Sequence, residues 1–220
     1  MSAAGGADRA AGARVLLATR NAKKLAELRR ILGSTVTVLG LDDVLPFPEE
    51  PETGATFSDN AAMKAVQAAA ATGELSLADD SGLSVDALNG MPGVLSARWS
   101  GVHGDDEANN ALLLAQLSDV PDERRGAEFV CALALAGPGE SAYVVHGRWR
   151  GRLLRAPVGT NGFGYDPLFV PAESDAAGGD DRGLSSAELT PERKDLWSHR
   201  GRAMTAMLPE LHTRLARRTP

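Results

Sequence analysis

The spacing of apolar residues predicts that strands and helices alternate in the first half of the chain. Residues 14–18 form a short apolar run that is typical of a buried strand. In residues 22–32, leucines and an isoleucine recur every three or four positions, which predicts a helix that ends at Gly33. The other elements predicted in this half are a strand at 36–39, a helix at 60–72 capped by Thr56, Ser58 or Asp59, and a short strand at 75–78.

In the second half, predicted strands follow one another and helices close the sequence. The predicted elements are a helix at 105–117, strands at 128–135, 142–149 and 168–170, and helices at 191–197 and 200–216. A glycine-rich loop occupies 159–166, and the Gly/Asp/Ser-rich residues 173–185 are predicted to form a mobile excursion. This order of elements predicts an α/β fold with a central mixed sheet flanked by helices.

Composition and charge narrow the class of protein. The 220 residues fit one domain, predicted at 14–220, after a Gly/Ala-rich tail at 1–13 that lacks the apolar core of a signal peptide. The net charge of −6 disfavours a nucleic-acid polymer as partner and leaves a small anion open. No apolar run approaches the roughly 20 residues that span a bilayer. The lone Cys131 excludes an internal disulfide, and a cytoplasmic location is the default expectation.

The first polar cluster lies at the connection between the first predicted strand and the helix that follows it. It contains Thr19, Arg20, Asn21, Lys23 and Lys24. Free backbone N–H groups and the positive end of the helix dipole favour anions at such a position. Hydroxyl, amide and ammonium donors add to this preference, although the glycine pattern of a Walker loop is absent. The alternative interpretation is an ordinary surface helix start.

A second cluster joins a loop to the second predicted helix. Asn60 and Lys64 are four residues apart and share one helix face, so they could cradle phosphates together. Glu52, in the preceding loop, could add a metal ligand. An ordinary solvated helix face is the alternative.

The third cluster is Asp79-Asp80-Ser81, at the predicted end of the short strand 75–78. Ligands of open α/β sheets bind at the carboxyl ends of strands. Adjacent carboxylates there suit Mg²⁺, which takes one or two of them together with waters and phosphate oxygens. These residues are also common in solvated turns, which is the competing interpretation.

The fourth cluster combines a glycine-rich loop with a segment near the C-terminus. Phe163, Gly164, Tyr165 and Asp166 lie in the loop, and aromatic faces of this kind can stack a base. Downstream donors that could recognise a carbonyl edge are Lys194, Ser198, His199 and Arg200. The alternative is a glycine turn with core aromatics, followed by a helix that Ser198 caps.

Six motifs in this order resemble the inosine/xanthosine triphosphate pyrophosphatase family, over nearly the whole chain from Val15. The motifs are Thr-x-Asn-x-x-Lys, Glu-Thr-Gly-x-Thr-Phe-x-x-Asn-Ala-x-x-Lys-Ala, Ala-Asp-Asp-Ser-Gly-Leu-x-Val-Asp-Ala-Leu, Pro-Gly-Val-x-Ser-Ala-Arg, Gly-Phe-Gly-Tyr-Asp-Pro-x-Phe and Ser-His-Arg-Gly. The resemblance implies hydrolysis of ITP, dITP or XTP to the monophosphate and pyrophosphate. It also implies an elongated, two-lobed fold around an active-site cleft, and a homodimer.

The resemblance also implies a role for each cluster. Glu52 and Asp80 would hold Mg²⁺, with Asp80 as general base and Asp79 as a neighbouring acid. The residues implied to contact phosphates are Thr19, Asn21, Lys24 and Lys64, with Ser81 as a further substrate contact. Phe163 would stack on the purine beside Gly164, Tyr165 and Asp166. The base-recognising segment would contain Lys194, Ser198, His199 and Arg200.

These assignments predict direct hydrolysis without a covalent intermediate. Metal binding would activate a water, and Asp80, or Asp79 beside it, would accept its proton. Repulsion between the adjacent carboxylates is expected to raise the pKa of one of them. A donor such as Arg200 or a backbone N–H would reward the 6-oxo group of the base. Two rival hypotheses are a pyrophosphatase for modified pyrimidine or methylated nucleotides and a non-catalytic nucleotide-binding module.

Overall fold

The computed structural model describes residues 14–33, 36–179 and 182–218, which form a six-stranded mixed sheet flanked by helices. The strands are β1 (Arg14–Leu17), β2 (Thr37–Leu39), β3 (Ser76–Val85), β4 (Gly126–Ala136), β5 (Tyr143–Leu153) and β6 (Phe169–Pro171). Their order is β2-β1-β3-β4-β5-β6. β1 is parallel to β2 and β3, whereas β3 to β6 pair antiparallel. The predicted α/β fold with a mixed sheet is confirmed.

Apart from a short helix, Ala172–Ala176, which forms where residues 173–185 were predicted to be a mobile excursion, the helices lie close to their predicted positions. They are α1 (Ala22–Leu32), α2 (Phe57–Thr72), α3 (Asp106–Gln116), α4 (Ala172–Ala176), α5 (Pro191–Trp197) and α6 (His199–Arg218), and a 3₁₀ helix spans Gly93–Arg98. Of the three caps considered for α2, Thr56 is the one used: its hydroxyl accepts from the backbone N–H of Asp59. Residues 173–185 include α4, while 180–181 and the predicted tail 1–13 lie outside the described residues.

The predicted end of the third strand at Ala78 is wrong. β3 continues to Val85, because it pairs with β4 at every position from Ser76 to Val85. Its other neighbour, β1, ends at Leu17, which lies opposite Leu77. Beyond Leu77, where the two aspartates follow, β3 therefore no longer pairs with β1 and continues to pair with β4.

The sheet packs its helices on two faces. α1 and α6 cover one face, where Leu77 and Leu133 belong to the same hydrophobic cluster as Leu28 and Met207. α2 covers the other face, where its alanines pack against small residues of β3 and β4. A third cluster surrounds Trp149 at the far end of the sheet. Within 14–33, 36–179 and 182–218, no helix is long and apolar enough to cross a membrane.

Candidate active site

Asp79 and Asp80 point to opposite faces of the sheet. Successive side chains of a strand alternate between its faces, and both residues lie within β3. Asp79 meets Lys24 of α1 and Arg200 of α6, whereas Asp80 meets Asn60 and Lys64 of α2. The two carboxylates therefore have separate environments, and they do not form the joint cation site that a turn would allow.

Asp79 is a buried counter-ion. Its Oδ2 lies 3.1 Å from Lys24 Nζ and 3.4 Å from Arg200 Nε, and it accepts from Ser81 Oγ at 3.1 Å. Burial alone would raise the pKa of Asp79, but the cations of Lys24 and Arg200 hold it well below the ordinary value. A carboxylate of such low basicity is suited to neutralising charge rather than accepting a proton.

Asp80 has the opposite electrostatic character. Its Oδ2 accepts from Asn60 Nδ2 at 2.9 Å, and its Oδ1 lies 3.9 Å from Lys64 Nζ. Burial raises the pKa of Asp80 above its ordinary value, although the Lys64 ammonium and the Asn60 hydrogen bond oppose the shift. The cause is desolvation rather than the expected repulsion from Asp79.

Lys64 connects Asp80 to Glu52. Its Nζ donates to Glu52 Oε1 at 2.8 Å and to the main-chain oxygen of Asp79 at 2.7 Å. Burial would raise the pKa of Glu52, but Lys64 lowers it, so the carboxylate is favoured. Glu52 and Asp80 provide the hard oxygen donors that Mg²⁺ prefers, and two carboxylates are enough for that ion. Within the described residues, no group of three or more His, Cys, Asp or Glu could hold a metal.

The start of α1 uses part of its polar cluster to cap itself. Asn21 Oδ1 accepts from the backbone N–H groups of Lys23 and Lys24, at 3.0 and 3.2 Å. Thr19 Oγ1 accepts from the backbone N–H of Asn21 at 3.2 Å. Both side chains therefore order the loop at the positive end of the helix dipole, where an anion is favoured.

A chain of buried charges extends from Asp79 to the glycine-rich loop. Arg200 Nη1 donates to Glu27, which also accepts from Lys194 Nζ at 2.9 Å. Lys194 Nζ in turn donates to Asp166 Oδ2 at 2.7 Å. Sequence reasoning missed Glu27, a buried acid of α1, because its partners lie 167 and 173 positions away along the chain.

Phe163 presents its ring beside this charge chain. Lys194 Nζ and the Arg200 guanidinium lie 5.1 and 5.6 Å from the ring centre, and Lys23 Nζ lies 5.7 Å away. Such distances allow cation–π attraction between these cations and the ring. Asp166 Oδ2 accepts from the backbone N–H of Phe163 at 2.8 Å and so fixes the loop behind the ring.

Three predicted substrate contacts also have evident structural partners. Tyr165 donates its hydroxyl to the carbonyl oxygen of Ser96 at 2.9 Å and packs in the Trp149 cluster. Ser198 Oγ accepts from the backbone N–H of Gly201 at the start of α6, as the capping alternative supposed. The buried His199 ring stacks on Phe129 with 4.9 Å between centres.

One cavity of about 340 Å³ joins these groups. The sequence-predicted residues that line it are Thr19, Arg20, Asn21, Lys24, Glu52, Lys64, Asp80, Ser81, Phe163, Gly164, Tyr165, Asp166, Lys194, His199 and Arg200. The predicted residues Lys23, Asn60, Asp79 and Ser198 are not among its lining residues. Side chains of both charges therefore line the cavity near Asp80, and an aromatic ring lines it at Phe163.

Comparison with known proteins identifies the family. A protein of Nocardia farcinica named dITP/XTP pyrophosphatase is 64% identical over 203 residues, which cover 90% of this chain and 95% of the relative. Residues 15–210 match the Ham1 family. The chain belongs to the Ham1 family. This confirms the resemblance that the six motifs indicated.

Solved structures of Ham1-family relatives agree. A Mycobacterium abscessus structure described as a nucleoside-triphosphatase, dITP/XTP pyrophosphatase, is 61% identical with a TM-score of 0.70, covering 89% of this chain and 99% of that one. The Staphylococcus aureus Ham1 protein is 35% identical with a TM-score of 0.78, covering 91% of this chain and 99% of that one. The mixed sheet with flanking helices is therefore the Ham1 fold.

The cavity of this Ham1 chain also contains residues that sequence reasoning did not assign. Arg98, His103 and Asp106 line it from the 3₁₀ helix Gly93–Arg98, the following loop and α3. Arg98 stands in the Pro-Gly-Val-x-Ser-Ala-Arg motif, so a signal for it was present. No local signal marks His103 or Asp106.

Proposed function

We propose that this chain hydrolyses non-standard purine nucleoside triphosphates such as dITP, XTP and ITP to the monophosphate and pyrophosphate. The observation that carries the proposal is the cavity that places Phe163, with its cations, in the same space as Lys24, Lys64 and Asp80. A base stacked on the ring and a triphosphate beside the lysines would both fit this chemistry. The names of the relatives support the substrate class.

Asp80 is the proposed general base. Before a metal binds, burial raises its pKa above that of an exposed aspartate, and its carboxylate lines the cavity. Asn60 holds one carboxylate oxygen and so orients the other. Asp79 acts in this proposal as the charge partner of Lys24 and Arg200, because its pKa is lowered and it lies outside the cavity lining.

Lys24 and Lys64 are the proposed phosphate cations. Lys64 lies between Glu52 and Asp80 and can neutralise charge that develops on the departing pyrophosphate. Glu52 and Asp80 would hold Mg²⁺, which when bound supplies a polarised phosphate and a water of lowered pKa. Turnover is therefore expected to require the metal.

Arg200 is the proposed recognition group for the 6-oxo base. Its guanidinium donates to Glu27, to Ser81 Oγ at 2.8 Å and to Asp79 Oδ2 at 3.4 Å. Arginine carries five N–H donors, so these contacts fix its plane and leave others available near Phe163. A fixed N–H donor can form a hydrogen bond to the 6-oxo group, whereas the amine of adenine would leave this donor unpaired. We also propose a cytoplasmic homodimer, on the family resemblance.

A pyrophosphate-release assay with dITP, XTP, ITP, GTP and ATP, with and without Mg²⁺, tests the proposal. We expect high kcat/KM for the first three nucleotides and none of this activity without metal. The Asp80→Asn variant should lose roughly 10²–10⁴-fold in kcat, the usual contribution of a positioned base. Near-normal turnover by this variant would remove Asp80 from the base role. Preference for modified pyrimidine or methylated nucleotides, or binding without pyrophosphate release, would refute the assigned function.

A further inference from the structure

Helix α3 makes two contacts to the base-binding loop that the mechanism above does not use. Asp106 Oδ2 accepts from the backbone N–H of Gly164 at 2.8 Å, and Asn110 Nδ2 donates to the carbonyl oxygen of Gly164 at 2.9 Å. The two side chains are four positions apart, so they project from one face of the helix. Together they hold both backbone polar atoms of the residue that follows Phe163.

The loop needs such external support. Gly162 and Gly164 have φ angles of +78° and +61°, a region that glycine enters without the penalty other residues meet. Glycine also leaves the backbone free to adopt other conformations, so contacts must select this one. Asp166 accepts a hydrogen bond from the backbone of Phe163, and Asp106 of α3 accepts one from the next residue.

α3 itself is firmly attached to the rest of the molecule. Asp105 caps its start by accepting from the backbone N–H of Ala108 at 2.9 Å. Leu113 and Leu117 are fully buried in the Trp149 cluster. The buried Arg125 donates to the carbonyl oxygen of Leu117 at 2.7 Å. A helix that is capped at its start and anchored in the core at its C-terminal end is a suitable reference for positioning a loop.

Asp106 also connects the loop to the start of α1. Its Oδ2 lies 3.9 Å from Lys23 Nζ, and Lys23 lies above the Phe163 ring. Both side chains are well exposed, so water weakens this ion pair and the hydrogen bond to Gly164 is the stronger of the two contacts.

We propose that Asp106 and Asn110 are positioning residues for base binding, which hold Gly164 so that the Phe163 ring faces the substrate base. The inference rests on the proposed function, because it assumes that Phe163 stacks on the base. The phosphate end of the cavity, around Lys64 and Asp80, should not depend on these contacts.

The test compares a nucleotide with a probe that has no base. KM is measured for dITP and Ki for inorganic tripolyphosphate, in Asp106→Ala, Asp106→Asn, Asn110→Ala and the exposed control Glu107→Gln. Losing one hydrogen bond should raise the KM for dITP roughly tenfold in the two alanine variants and leave the Ki within about twofold. Asp106→Asn keeps an acceptor for the Gly164 N–H and should recover most of the loss. Glu107→Gln should match the wild type.

Unchanged KM for dITP, or an equal rise in KM and Ki, overturns the inference. Should Asp106→Ala fail to fold, Asp106→Asn and Asn110→Ala still decide it. The same variants are also made in the Asp80→Asn background, and dITP and tripolyphosphate binding is measured by calorimetry. If dITP binding changes as expected in these variants but the wild-type protein releases no pyrophosphate, the proposed function is wrong and the positioning role still holds.

Discussion

At the scale of single residues, Asp79 and Asp80 differ because a strand alternates its side chains. Asp79 is fully buried between Lys24 and Arg200. The Asp79→Asn change would leave both cations without that charge, and breaking a buried pair in this way costs about 3–5 kcal/mol. We therefore expect a lower free energy of unfolding, measured by urea denaturation at pH 7.

The pH dependence of this loss follows from the lowered pKa of Asp79. A carboxylate with a lowered folded-state pKa stabilises the protein above its unfolded pKa of about 3.9, and the stabilisation is lost as pH falls through the folded value. The difference between wild type and Asp79→Asn should thus be constant from pH 7 to about 5 and shrink in stronger acid. Asp86→Asn, which breaks an exposed pair with Arg150, is the control and should cost less than about 1 kcal/mol. Equal losses would contradict the counter-ion role.

The residue types of the site could be predicted from the sequence. The placement of Asp79 and Asp80 on opposite faces of the sheet could not. The Asp-Asp-Ser-Gly run is typical of a turn, and in a turn both carboxylates could face one cation. Only the pairing of β3 with β4 across ten positions makes this run a strand. Ladder hydrogen bonds and burial outweigh the low strand preference of Asp and Gly. The contrast between the two pKa values follows from that tertiary pairing.

At the scale of elements, the 3₁₀ helix Gly93–Arg98 brings a cation to the cavity. Among the ion pairs of 14–33, 36–179 and 182–218, none includes Arg98, whereas Lys24 and Lys64 each have a carboxylate partner. Arg98 acts electrostatically on Glu52, whose pKa it helps to lower, but no close ion pair among these residues holds its guanidinium, which is therefore available to a phosphate. Arg98→Gln should raise the KM for dITP and the Ki for pyrophosphate by about tenfold each. The exposed Arg124→Gln is the matched control, and unchanged constants for Arg98→Gln would exclude the contact.

The positions of helices and strands were largely predictable, while the contacts between them were not. Apolar spacing located α1, α3, β4 and β5 to within a few residues. Asp106 and Asn110, by contrast, contact a glycine 58 and 54 positions away. No local sequence pattern predicts a contact between residues so far apart, because the contact depends on how α3 packs against the Trp149 cluster.

At the scale of the whole molecule, one buried chain of charges connects strand β3 to the glycine-rich loop. It runs from Asp79 through Arg200, Glu27 and Lys194 to Asp166. Its members come from β3, α1, α5, α6 and the glycine-rich loop. Burial would raise the pKa of Glu27, yet Arg200 and Lys194 lower it, so the ionised form of this buried acid is favoured.

His199 precedes Arg200 of this chain. We expect it to cause the first loss of folding stability as the pH falls. It is buried, Arg200 and Lys194 add to burial in lowering its pKa, and its Nδ1 has no hydrogen-bond partner among the described residues. Below the ordinary pKa of about 6.5 the unfolded chain gains a proton that the folded protein does not, so stability should fall by up to about 1.4 kcal/mol per pH unit. His199→Phe keeps the stacking on Phe129 and should flatten urea-unfolding stability between pH 7 and 5. The exposed His212→Gln should keep the wild-type slope, and an equally steep slope in His199→Phe would show that another group causes the loss.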